Sequence, residues 1–233
     1  MTQARTEQLR TNLEHVRAEI QEMAGGQQAP ELLIVTKFHP AADIALLAQL
    51  GVTDVAENRE QEARAKYEEL GGAVRFHMIG QVQTKKANHV ARWAASVHSV
   101  DSVKLAHALD RGAQLAVERG QRDGVLPVFI QVSVDEAEHR GGVGLGEDLD
   151  ELVAVVEDSP HLRLEGLMVV PPLGADAAAV FRGVRELTDG IGKRVGRPLK
   201  MSAGMSGDMV EAIAAGTDIV RVGTRIMGPR PLL

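Results

Sequence analysis

The chain has 233 residues, 25% of them charged and 44% hydrophobic, with a formal net charge of −6. That length suits one large domain or two small ones, and an acidic chain with only 3% aromatic residues has neither the basic stripe nor the stacking side chains of a nucleic-acid binder. It contains no cysteine, which excludes disulfides, thiolate zinc sites, iron–sulfur clusters and cysteine nucleophiles.

The first eight residues are polar and charged, unlike the apolar core of a signal peptide. No run approaches the ~18–20 apolar residues of a membrane span. A cytoplasmic protein without membrane contact is expected. Residues 2–24 form an amphipathic helix pattern in which Leu9, Leu13, Val16, Ile20 and Met23 recur at helical spacing. Gly25 and Gly26 end it.

From there short apolar runs alternate with helical stretches. The strand candidates are 32–37, 53–56, 74–79, 96–99, 126–134, 162–169, 199–201 and 218–222. The helical segments are 41–50, 58–70, 102–119, 147–158, 175–195 and 207–215, with a shorter stretch at 84–95. Near-continuous apolar strands suit a parallel sheet covered on both faces. Eight βα units in this length predict an α/β fold, a (β/α)8 TIM barrel with an extra N-terminal helix. An open doubly wound sheet, which more often has five or six strands, is the alternative. No composition shift marks a linker. The expectation is a single domain over 1–233, with the leading helix in 1–26 and the barrel in 31–228. The Gly-rich loop 135–147 is expected to be the most mobile. It is no dinucleotide fingerprint, because position 147 is Glu where the last glycine is needed.

In a TIM barrel, function gathers at the C-terminal ends of the strands. Lys37, Glu57, Asn58, Gly80, Ser206, Gly223 and Thr224 all fall there. Lys37 closes an apolar run whose only polar member before it is Thr36. A lone strand-end lysine is ordinarily a solvated charge. On the interior face it would lose hydration, which favours the neutral amine that imine formation needs. Ser206, Gly207 and Asp208 open a helical pattern, read either as a plain N-cap or as a phosphate cradle of backbone N–H groups and a hydroxyl. Position 208 is Asp, so the stretch is not a nucleophile elbow. Arg221 is either a structural ion-pair member or a group pointing into the barrel mouth, with Gly223 and Thr224 binding phosphate beside it. His77, His89, His98 and His107 make no metal site by spacing. Lys85 and Lys86 read as a solvated pair, and Tyr67 and Trp93 as packing residues. One isolated amine and two Gly/Ser turns are the parts needed to hold an aldehyde cofactor carrying a phosphate. Pyridoxal 5'-phosphate (PLP) is therefore the leading candidate.

As a set, these residues resemble the PLP homeostasis protein family from Leu32 to Gly228. The match runs through Val35, Thr36 and Lys37 with Pro40, then Glu57, Asn58, Gln61 and Glu62. It continues through His77 to Gly80 with Gln83 and Lys86, and through His98 to Ser102. Ile130 to Val132, Gly166 to Met168, Gly204 to Asp208 and Val220 to Thr224 complete it. The sequence departs from the family's usual residues at Ala56, Arg59, Lys85, Ser133, Arg140, Ala203 and Met227.

The family is similar in fold to the N-terminal domain of alanine racemase. The resemblance implies that Lys37 holds PLP as a Schiff base and that Ser206, Gly223 and Thr224 hold its phosphate. It places Arg221 opposite the pyridine nitrogen and Asn58 near the ring. An arginine there leaves the nitrogen unprotonated, a weak electron sink. The expected function is binding and buffering of PLP in intracellular vitamin B6 homeostasis, without substantial turnover and with PLP-dependent apoenzymes as recipients. The alternative is an amino-acid racemase, which needs two bases on opposite faces. In alanine racemase the second base is a tyrosine of a C-terminal domain. This chain ends at Leu233 and has one tyrosine, Tyr67, in a helical pattern, so a non-catalytic monomer is expected.

Overall fold

A computed structural model describes residues 2–135 and 141–230. The helix α1 (Thr2–Ala24) leads into β1 (Glu31–Val35), α2 (Ala41–Gln49), β2 (Asp54–Glu57), α3 (Glu60–Leu70) and β3 (Arg75–Met78). A 3-10 turn (Thr84–Lys86) precedes α4 (Ala87–Trp93), β4 (Ala94–Val100), α5 (Val103–Glu118) and β5 (Leu126–Gln131). The chain goes on through α6 (Glu147–Asp158), β6 (Leu162–Met168), α7 (Ala177–Val195), β7 (Lys200–Ser202), α8 (Met209–Ala214), β8 (Ile219–Val222) and α9 (Thr224–Met227).

The eight strands pair in chain order into a closed parallel barrel, and β1 closes it on β8 with Leu33 opposite Arg221. Closure leaves no strand edge to protect. Apolar packing divides into two shells. The larger lies between the strands and the helices. The smaller fills the barrel interior and consists of Leu33, Val35, Ala56, Phe129, Met168 and Ile219, with Ile79 against it. Inward and outward residues alternate along each strand, which is why both shells come from the same short runs.

The leading helix buries Leu9, Leu13, Val16 and Ile20 along one face, as its periodicity predicts. It is tied to the closing end of the barrel. Arg5 pairs with Asp43 at 2.6 Å and donates to the Met227 carbonyl, and Asn12 donates to the Ile226 carbonyl at 2.9 Å. Among the described residues no helix is long and apolar enough to cross a membrane.

Every expected strand and helix is present, with shifts at the ends. β1 stops at Val35, so Lys37 lies in the turn beyond it. β5 stops at Gln131, after which Val132 makes an isolated bridge to Val143. The expected helix at 207–215 starts at Met209, with Asp208 at its N-cap position. α9, only four residues long, has too few positions to show a period. Of the Gly-rich loop 135–147, residues 136–140, including Arg140, lie outside the described residues.

One glycine fixes the mouth of the barrel. A Cβ on Gly80 would sit 2.1 Å from the Asn58 carbonyl oxygen, so the loops after β2 and β3 touch only because it is absent. Gly80→Ala is expected to destabilise the fold by about 1–3 kcal/mol, the usual cost of overpacking, read from the urea unfolding midpoint. An unchanged midpoint would show that the two loops separate freely.

Candidate functional site

The C-terminal ends of β1, β2, β7 and β8 carry the residues expected to act. Lys37 follows β1 and is half-buried. The strand ends at Val35, so Lys37 sits in the turn beyond it, with its Nζ 5.9 Å from the centroid of the Phe38 ring. Phe38 holds a left-handed backbone at φ 70°, uncommon for a residue with a side chain. Its ring is flanked by cations, with Arg59 at 5.4 Å and Arg230 at 4.2 Å from the centroid.

Both peptide groups that flank Lys37 are held by one ion-pair network. Lys66 of α3 donates to the Thr36 carbonyl at 3.0 Å, and Glu62 accepts from the Phe38 N–H at 2.6 Å. Lys66 also donates to Glu57 at 2.6 Å and to Glu62 at 2.7 Å, and the Thr36 hydroxyl donates to Glu57 at 2.7 Å. Burial pushes the Glu57 carboxyl up, against the opposing pull of Lys66. Sequence reading singled out Glu57 and Glu62 but missed Lys66, whose role depends on a carbonyl 30 residues away.

At the ends of β7 and β8 the structure leaves donors free. The N–H groups of Ser206, Gly207, Gly223 and Thr224 make no hydrogen bond to another described residue, nor do the hydroxyls of Ser206 and Thr224. Ser206, Gly207 and Thr224 are exposed. β7 and β8 are neighbours, so both donor sets lie on one side of the mouth. Asp208 turns its carboxylate onto the Met205 N–H at 2.6 Å. Gly223 packs closely on β1, where an added Cβ would lie 3.2 Å from the Val35 carbonyl oxygen. Asn58 is half-buried at the end of β2, against Gly80.

Arg221 is buried in the barrel. Its guanidinium donates to the Ser202 carbonyl at 2.6 Å, the Ser202 hydroxyl at 2.8 Å and the Val169 carbonyl at 2.9 Å. No carboxylate touches it among the described residues, so it is not the ion-pair member that one reading allowed. Burial pulls its pKa down to about 10, with Asp208 opposing, and it stays charged at neutral pH.

A chain of hydrogen bonds leads from Arg221 down the barrel. Ser202 Oγ lies 3.0 Å from His98 Nδ1, and His98 Nε2 lies 2.8 Å from Ser96 Oγ. Ser96 Oγ lies 2.7 Å from His77 Nδ1, and His77 Nε2 lies 2.8 Å from Asp54 Oδ1. Arg75 closes the chain on Asp54 with bonds of 2.8 and 2.7 Å. A guanidinium only donates and a carboxylate only accepts. With both imidazoles neutral, the ends therefore fix the sense of every bond: each histidine carries its proton on Nε2 and accepts at Nδ1. His98 is stacked on Phe129 at 4.2 Å, and burial, with His77 and Arg221 nearby, holds its pKa well below the usual value. Burial pushes Asp54 up, but bonds from His77 and Arg75 outweigh it and hold the carboxyl below its ordinary range.

His77 and His98 thus belong to a structural chain. Tyr67 packs edge-on against Phe76 and beside Trp93, as expected of packing residues. Lys86 is no solvated charge, since it pairs with the buried Glu60 at 3.3 Å, whereas Lys85 is exposed. The sequence carried one signal for the chain: Ser96 and His98 alternate polar on an otherwise buried strand.

The model of the alanine racemase N-terminal domain family matches residues 6–231. A pyridoxal phosphate homeostasis protein of Corynebacterium glutamicum is 55% identical over 202 residues, covering 86% of this chain and 90% of that protein. The protein of the same name from Escherichia coli is 35% identical, covering 85% of each chain. Among solved structures, PipY of Synechococcus elongatus with PLP bound superposes with a TM-score of 0.81 at 30% identity, covering 94% of this chain and all of that one.

The buried His98 makes stability depend on pH with a definite sign. Its folded pKa lies below the unfolded value of about 6.5, so the unfolded chain takes up the proton first. Its contribution is complete above that pH and is lost as pH falls, at about 1.4 kcal/mol per pH unit. Urea unfolding from pH 7 to 5 should show this extra slope in the parent and not in His98→Gln. Equal slopes would mean that His98 takes up its proton within the folded barrel.

Proposed function

Because the chain belongs to the pyridoxal phosphate homeostasis proteins of the alanine racemase N-terminal domain family, we propose that it binds PLP at the C-terminal mouth of its barrel. Its role in this reading is to hold and buffer the cofactor in the cytoplasm and release it to PLP-dependent apoenzymes. The observation that carries the proposal is the set of free donors at the ends of β7 and β8, with β8 the neighbour of β1, the strand that leads into Lys37.

The residues present fit the cofactor. Bound PLP supplies an aldehyde that condenses with a primary amine, and Lys37 is the lysine at that mouth whose flanking peptide groups are both fixed. Ser206, Gly223 and Thr224 offer unpaired hydroxyl and N–H donors for a phosphate. Three of the five N–H groups of Arg221 are used by Ser202 and Val169, which leaves two to face an acceptor. Asn58 borders the same opening on β2. The barrel and its leading helix act as one PLP-binding unit, as a monomer. A racemase role finds no support in Tyr67, whose ring is committed to Phe76 and Trp93.

The direct test adds PLP to the purified chain, records the absorption spectrum, reduces with borohydride and maps the modified peptide. The pyridoxyl mass on the peptide holding Lys37 supports the reading. A colourless protein with no modified lysine overturns it. Lys37→Ala should abolish covalent attachment while equilibrium binding persists, because the phosphate donors remain. Ser206→Ala should weaken PLP binding by about 1.5–3 kcal/mol, roughly tenfold or more, by equilibrium titration. An unchanged affinity would remove Ser206 from the cradle.

A further inference from the structure

The opposite end of the barrel is also open. A cavity of about 1010 Å³ lies where the strands begin, lined by Glu31, Asp54, Arg75, Ser96, Pro127 and Lys200 among others. Its inner wall is the lower half of the hydrogen-bonded chain, His77, Ser96 and His98, beside the apolar Leu33, Phe129 and Ile219. The polar atoms of that wall are already spent on one another.

Most of the charge around this cavity cancels. Arg75 pairs with Asp54 at 2.7 Å, Lys200 with Glu31 at 2.8 Å, and Arg163 with Glu165. Two guanidiniums do not. Arg92, half-buried at the end of α4, has no partner among the described residues. Among the described residues Arg122 donates only to the Ala94 carbonyl, through both terminal nitrogens at 2.9 Å. Its Nε is buried with no partner. Against these stands one unpaired carboxylate, the exposed Asp123. A desolvated cation without a counter-charge is costly unless something anionic completes it.

We infer that this cavity is a second binding site, for a small organic acid whose phosphate or carboxylate meets Arg92 and Arg122 and whose apolar body lies against Leu33, Phe129 and Ile219. Arg is suited to this because its planar fork bonds either anion. The inference does not depend on PLP binding, which concerns the other end of the barrel.

Calorimetric titration of the full chain with phenyl phosphate, benzoate and inorganic phosphate tests it. Phenyl phosphate or benzoate should saturate with a dissociation constant of about 1 mM or tighter. Whichever of the two binds more tightly identifies the anionic group. Inorganic phosphate should bind at least about tenfold more weakly, since it lacks the body. Arg92→Gln, at the rim, should weaken the organic acid by about tenfold or more, and Arg92→Gln with Arg122→Gln should abolish binding. Arg92→Gln alone carries the test if the double variant does not fold. Arg92 lies at the opposite end of the barrel from the phosphate donors of the mouth, so a loss of affinity in Arg92→Gln separates the two sites. No saturable heat, affinity that survives Arg92→Gln, or inorganic phosphate binding as tightly as phenyl phosphate would each overturn the inference.

Discussion

Arg221 is a cation that cannot readily shed its proton, buried inside the barrel with no carboxylate touching it among the described residues. The barrel interior is arranged around that constraint. Two carbonyls and one hydroxyl take three of its N–H groups. The hydroxyl, Ser202, then has one proton to give, and His98 is its acceptor. Each following group inherits a donor–acceptor sense from the one before, down to Asp54, which ends the chain as a carboxylate supported by Arg75. A chain with a cation at one end and an anion at the other polarises every bond in the same direction. Reversing one imidazole would leave two facing donors at one junction and two facing acceptors at another. The upper part of the chain, Arg221, Ser202 and His98, is buried beside the small apolar shell of Leu33, Phe129 and their neighbours, so its polar atoms have to be paired within the barrel.

The mouth is organised by a second buried network that acts on the backbone. Lys66 and Glu62 pin the carbonyl before Lys37 and the N–H after it, and Lys66 also pairs with one oxygen of Glu57, buried at the end of β2. The side chain of Lys37 is thereby left without a hydrogen-bond partner among the described residues, its amine 5.9 Å from the centroid of the Phe38 ring, while its attachment point is fixed. That suits an anchoring amine, which has to reach a ligand from a fixed base. The left-handed Phe38 costs the turn on the order of 1–2 kcal/mol, and it is held against that cost by the Glu62 bond and the guanidiniums of Arg59 and Arg230 on its ring. Arg59 is one of the positions where the sequence departs from the resembled family, and here it has a defined contact.

Much of the fold was legible because it rests on local patterns. Apolar runs alternating with amphipathic helices read as βα units, and closure followed from their number. The positions of Lys37, Gly223 and Thr224 at strand ends could be read as well. What could not be read depends on side chains brought together from far apart. Ser202 and His98 are 104 residues apart, and Lys66 and Thr36 are 30 apart. Neither pair leaves a periodic trace. Ser206 looked like the start of a helix because a serine followed by an acidic residue often caps one. The chain instead makes a turn, with Asp208 bonded back to Met205, and the Ser206 hydroxyl has no partner among the described residues. Arg221 sat on a strand whose interior face could not be told from its outer one until the register with Leu33 was known.

The same guanidinium bears on what the mouth does with a cofactor. The N–H groups that Arg221 has left can only donate, so a pyridine nitrogen facing them has to accept and carries no proton of its own. An unprotonated ring withdraws electrons weakly, and the chemistry that needs a strong sink is then slow. Replacing Arg221 with a carboxylate would reverse that, but such a group would compete for the Ser202 hydroxyl and invert the chain below it. If the ring nitrogen of a bound cofactor faces Arg221, weak electron withdrawal there and the fixed sense of the interior bonds both follow from one residue.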